Sequence, residues 1–189
     1  IVLIENHKNP VVAFRLAIPA GDMYDPQGKS GTAELVASLL TKGAGTRSAE
    51  AIANAIESAG GSLSAGTDED FMSIAGGVLS ESAPLAFALL GDVVVRPTFA
   101  EKEFDLARTQ RLSSLQLQAS DPSAIASRYF AAGVYGKHPY GRRADATSVR
   151  AISRADLLAF QSARLKPRGA LLVVAGDITL AKVRALAEQ

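Results

Sequence analysis

The sequence predicts an α+β fold: a mostly antiparallel sheet covered on one side by helices. Three observations carry this. Short apolar runs with period two occur in neighbouring pairs, as hairpins require. Stretches with apolar residues at helical spacing begin at polar capping residues and end at glycine or proline. The strands and helices are partly segregated along the chain rather than strictly alternating.

Val2–Glu5 and Val11–Ile18 are the first two predicted strands, interrupted by Asn-His-Lys-Asn-Pro and expected to form a hairpin. In the second, Val12, Phe14, Leu16 and Ile18 share one face. A loop with Gly21, Asp25-Pro26 and Gly28 leads into a helix over Gly31–Lys42, stopped by Gly43. Ser48 caps a second helix with Ile52 and Ile56 on its apolar face, ended by Gly60-Gly61. Ser62–Thr67 and Phe71–Val78 read as a strand pair around Asp68-Glu69-Asp70. Helices are then expected from Ser82 to Val95, closed by Pro97, and over Glu101–Gln118. Asp121-Pro122 opens another, with Asp at the cap and Pro at the first position. Gly136–Arg143 is a polar loop, and Thr147–Ile152 a helical turn. Ser153 and Asp156 form a capping-box pattern for a helix reaching Leu165. Gly169–Gly176 is a strongly apolar strand, and Thr179 caps a last helix.

With 189 residues the chain is long enough for one domain with a sizeable core, and 48% apolar against 21% charged residues is a globular balance. A net charge of +1 with no basic run leaves nothing to neutralise phosphates, which argues against nucleic acid. No apolar stretch approaches the length of a membrane span. Cys is absent, so disulfides and thiolate metal sites are excluded. A zinc site needs about three or four protein ligands. His7 and His138 stand alone, with no carboxylate at matching spacing.

The segment Gly31-Thr-Ala-Glu-Leu-Val-Ala-Ser-Leu-Leu-Thr-Lys-Gly43 resembles the zinc helix of the pitrilysin/insulinase peptidases. Active members carry H-x-x-E-H there, between a Gly-x-Ala lead and a Lys-Gly end. Two His four apart share a helix face and reach one metal, beside a Glu that activates water. The flanks resemble the family along almost the whole chain. They include Ala20-Gly21-Asp22, Ser58–Ala65, Val95-Arg-Pro-Thr-Phe99, Tyr135-Gly-Lys-His-Pro-Tyr-Gly141, Lys166-Pro and Val173-Val-Ala-Gly-Asp177.

The resemblance places the first His at Glu34, the general base at Ala37 and the second His at Ser38. The family's third ligand, a Glu some residues before an Asp-Pro pair, falls at Ser114. Ala37 has no carboxylate, and serine is not a usual zinc ligand. The implication is a chain with no metal and no cofactor of its own, zinc being expected only in a partner subunit. The strand Ser64-Ala65-Gly66-Thr67 matches the edge strand on which active relatives bind extended peptide by strand addition, a contact made by backbone groups. The plain alternative is an ordinary strand near the sheet edge.

Other residues attract sharper readings than they support. His138, beside Tyr140 in a glycine loop, fits a residue fixing local hydrogen bonds better than a catalytic one. His7 fits a solvated turn. Asp68-Glu69-Asp70 lacks an EF-hand pattern and fits a turn better than a calcium site. Ser38 and Ser114 have no His placed as a base. Arg142-Arg143 is a small exposed basic spot.

Taken together, the resemblance implies that residues 1–189 are a single, slightly truncated N-terminal-type domain of such a protein, with a second domain lying outside this chain. It implies no enzyme activity alone. The expected role is a catalytically inactive subunit or half that forms a heterodimer with an H-x-x-E-H zinc-peptidase partner, completes its substrate chamber and assists peptide binding. The alternatives are a structural core subunit of a larger, respiratory-type complex, or an atypical metallopeptidase with metal near Glu34. The alanine-rich composition suggests a bacterial chain, with the periplasm as the expected compartment and cytoplasm or mitochondrion as alternatives.

Overall fold

A computed structural model describes residues 1–188. One five-stranded sheet, in the order β1-β7-β2-β6-β5, carries the fold. Its strands are β1 (Val2–Glu5), β2 (Val11–Ile18), β5 (Ser62–Thr67), β6 (Met72–Leu79) and β7 (Leu171–Gly176). All neighbours are antiparallel except β1 and β7. The sequence reading missed a two-residue hairpin formed by β3 (Gly43–Ala44) and β4 (Arg47–Ser48), which is too short to show a period.

The expected hairpin between the first two strands does not form. β7 lies between them, parallel to β1 with Val2 opposite Val173, and antiparallel to β2 with Phe14 opposite Val174. A short loop fits either arrangement, and β7 supplies the middle place with its run of branched side chains. The pairing of β5 with β6 is the expected hairpin.

Val12, Phe14, Ile18, Met72, Ile74, Val78, Leu172 and Val174 form the buried sheet face. Helices α1 (Thr32–Leu40), α2 (Ala49–Ser58), α3 (Ala83–Val95), α4 (Glu101–Gln118), α7 (Arg154–Arg164) and α8 (Leu180–Ala187) supply side chains to the core that covers it, whereas α5 (Pro122–Tyr135) and α6 (Ala146–Ala151) do not. The predicted caps are present. Ser48, Asp121 and Thr179 accept backbone N–H bonds at their helix starts, and Ser153 with Asp156 makes a reciprocal capping box. A second box, Asp145 with Ser148, starts α6.

α1 is held at its start by an unusual cap. Gly31 adopts φ 101°, a left-handed conformation that suits glycine. Its N–H donates to Asp25 Oδ2 at 2.6 Å, and the Ala33 N–H donates to Asp25 Oδ1 at 2.8 Å. One buried carboxylate thus satisfies two of the helix's free donors. α1 packs its Leu35, Val36, Leu39 and Leu40 into the core and lies against β5 and α4.

Candidate functional site

On α1, Glu34 and Ser38 are four residues apart and share the side that faces α4. On α4, Arg111 and Ser114 are three apart and face back. Glu34, Ser38, Arg111 and Ser114 line one cleft of about 390 Å³ between the two helices. Three of the four positions singled out in the sequence therefore meet. Ala37 does not: it is only 2% exposed, and its methyl lies on the packed side of α1.

The chemistry at the cleft centres on an ion pair. Arg111 Nη2 lies 2.9 Å from Glu34 Oε2, and the arginine side chain is 19% exposed. Burial raises the Glu34 pKa, and the Arg111 charge opposes that shift. The Ser38 hydroxyl donates back to the Leu35 carbonyl at 2.9 Å. The Ser114 hydroxyl accepts a long bond from the Gln118 amide at 3.4 Å. Among the described residues, no group of three or more His, Cys, Asp or Glu converges as a metal site would require. Arg111 was not singled out in the sequence; the one available cue was its position a turn before Ser114 on a shared helix face.

A second cleft, of about 320 Å³, shares Glu34 and Arg111 with the first and is lined by Asp22, Asp25, Arg128 and Arg142 among others. Burial pushes the Asp22 carboxyl up to about 7, helped by the nearby Asp25 charge. Asp25 is pushed up to about 6, again by burial, against the two backbone donors it caps. Arg142 anchors this loop by donating to the Met23 carbonyl at 3.0 Å and the Asp25 carbonyl at 3.4 Å. The supposed basic spot is in this respect a structural tie.

β5 is an edge strand, paired on one side only by β6. Ser64 and Gly66 are exposed, while Leu63 and Ala65 turn toward the core. A side chain at Gly66 would meet no atom within 4 Å, so the space beside it is open. β5 lies beside α1, the helix that carries Glu34 and Ser38.

The remaining candidates have local duties. The carbonyls of Asp68, Glu69 and Asp70 accept from the backbone of Asp22, Met23 and Gly21. Their carboxylates are engaged as well: Asp68 accepts from the Asp70 and Phe71 N–H groups, Glu69 pairs with Arg143 at 3.1 Å, and Asp70 accepts from the Tyr140 hydroxyl. His138 Nδ1 accepts the Tyr140 N–H at 3.2 Å, a local loop contact. His7 lies 2.6 Å from Asp177 and 3.6 Å from Glu5, so the turn holds a paired rather than a free His.

Comparisons with known proteins bear on the family and on the fold. The family model described as Insulinase (Peptidase family M16) matches residues 1–148. An uncharacterized zinc protease of Mycobacterium tuberculosis is 32% identical over 151 residues, covering 79% of this chain and 34% of that protein. A counterpart in Mycobacterium leprae is 32% identical over 96 residues, 50% of this chain and 22% of its own length. The chain thus spans about a third of the curated relative it matches over most of its length. Among solved structures, a peptidase M16 inactive domain from Pseudomonas fluorescens superposes with TM-score 0.92 at 26% identity, covering 98% of this chain and 46% of that one. A protease from Helicobacter pylori shares the fold, with TM-score 0.90 at 20% identity over 98% of this chain and 46% of that one.

Proposed function

The chain belongs to the insulinase peptidase family, and we propose that within it this polypeptide is a non-catalytic half or subunit. It stands beside an H-x-x-E-H partner, completes that partner's substrate chamber and steadies an extended peptide along β5. The observation that carries the reading is the Glu34–Arg111 ion pair at the α1–α4 cleft, with hydroxyls at Ser38 and Ser114 and a methyl at Ala37. This donor set does not fit zinc. Its one carboxylate is already neutralised by a guanidinium, and its two hydroxyls are poor ligands for zinc at neutral pH. Nor does position 37 offer a carboxylate to take a proton from water.

The Pseudomonas fluorescens neighbour, an inactive domain of the same family, supports this over the zinc-protease names of the mycobacterial relatives. Sequence names follow overall similarity, whereas catalysis depends on a few side chains. The edge geometry of β5 supports the peptide-holding part, because strand addition uses backbone N–H and C=O groups that do not depend on the lost side chains.

The test is reconstitution. The purified chain is expected to hold no stoichiometric zinc and to cleave no peptide alone, and to raise peptide hydrolysis when mixed with a catalytic family subunit from the same source. Chelator-sensitive cleavage by the chain alone would overturn the non-catalytic reading. Full activity of the catalytic subunit without it would overturn the partner role. Substituting Gly66→Val, which puts a branched side chain on the exposed face of the edge strand, is expected to raise KM of the mixture more than it lowers kcat.

A further inference from the structure

We propose that Arg111 is a built-in cation that takes over a mechanical duty at this site: it ties α1 to α4 through Glu34, in the place where a metal would otherwise join the two helices. This rests on the reading that the cleft takes no metal. Four observations carry it. The positions matched to ligands lie on two different helices, Glu34 and Ser38 on α1 and Ser114 on α4, so any ion bound by them would bridge those helices. Arg111 bridges the same pair at 2.9 Å from Glu34. Its position three residues before Ser114 puts the guanidinium on the face that a ligand at Ser114 would use. And Glu34 and Arg111 line both clefts, so the pair stands where the two share a wall residue from each helix.

The energetics favour an actual tie over an incidental surface pair. Arg111 is mostly buried, and its Nε is buried without a hydrogen-bond partner among the described residues. A guanidinium in that position has few alternatives to Glu34 for its charge, and among the described residues a half-buried Glu34 has no other cation within ion-pair distance. Removing either partner leaves the other desolvated and uncompensated. A planar, permanently charged group also suits the role better than lysine would, because its charge does not titrate away on burial.

The test is a charge-swap cycle read by thermal unfolding of the whole chain. Glu34→Arg and Arg111→Glu are each expected to lower Tm by about 4 °C, on the scale of a few degrees per kcal/mol for a chain of this size. The double swap is expected to recover at least half of the summed loss, a rescue that packing alone does not give. Arg111→Lys is expected to lie between wild type and Arg111→Glu. Additive losses in the double swap would overturn the tie. Zinc titration of the wild-type chain separates the two ideas. Stoichiometric uptake with a raised Tm would overturn the metal-free reading and the tie together, whereas additive swaps without zinc uptake would overturn the tie alone.

Discussion

α1 and α5 look alike in the sequence and live in opposite surroundings. Both are capped helices rich in alanine and larger apolar residues. α1 buries Thr32, Ala33, Leu35, Val36, Ala37, Leu39 and Leu40, leaving Glu34 and Ser38 to face the cleft. α5 buries Ala131 alone, and leaves Tyr129 at 74% and Phe130 at 69% exposure. The lesson is that a helix with one polar side can be held firmly by its apolar side, whereas a helix of similar make-up can lie largely exposed. The cost of changing a residue follows its environment rather than its hydrophobicity.

The comparison can be broken most severely in the α1 core. Leu40→Ala, at a fully buried position, is expected to cost about 3 kcal/mol of unfolding free energy, measured from the urea midpoint at an unchanged slope. Asp25→Ala removes the acceptor of two helix-start donors and is expected to cost about 2 kcal/mol, read the same way.

Asp22 sharpens the contrast through pH. Its folded pKa, about 7, lies above the unfolded value near 4, so the native state binds the extra proton in that window. Stability from this group therefore falls as pH rises from about 4 through 7. Asp22→Asn is expected to flatten the decline of Tm between pH 5 and 8, and to leave the variant the more stable at the upper end. An unchanged slope would show that Asp22 is not the group responsible. The smallest effect is expected on α5. Tyr129→Ser and Phe130→Ser should each move the urea midpoint within the range of ordinary surface changes, about 0.5 kcal/mol.

Much of this was legible in the chain. Period two placed β2, the acidic turn Asp68-Glu69-Asp70 separated β5 from β6, and the side-chain oxygens of Ser48, Asp121, Ser153 and Thr179 marked helix starts, because all are local in sequence. The positions Glu34, Ser38 and Ser114 were legible through their flanks, and the structure gathers them into one cleft. What could not be read was long-range. Nothing near Val2 says that β7 will come between it and β2. Nothing near Arg111 says that its charge will meet Glu34 from another helix. Ala37 could be read as lacking a carboxylate but not as buried, since a methyl suits either side of a helix.

The place of β7 has a consequence for how the molecule comes to be. β1 is an outer strand, and among the described residues its neighbour in the sheet is the distant β7, with Val2 opposite Val173. Val2 through Glu5 must therefore wait, unpaired, until β7 has been synthesised. Such distant closure makes assembly slow. Until β7 arrives, β1 presents free backbone groups that any neighbouring polypeptide could seize.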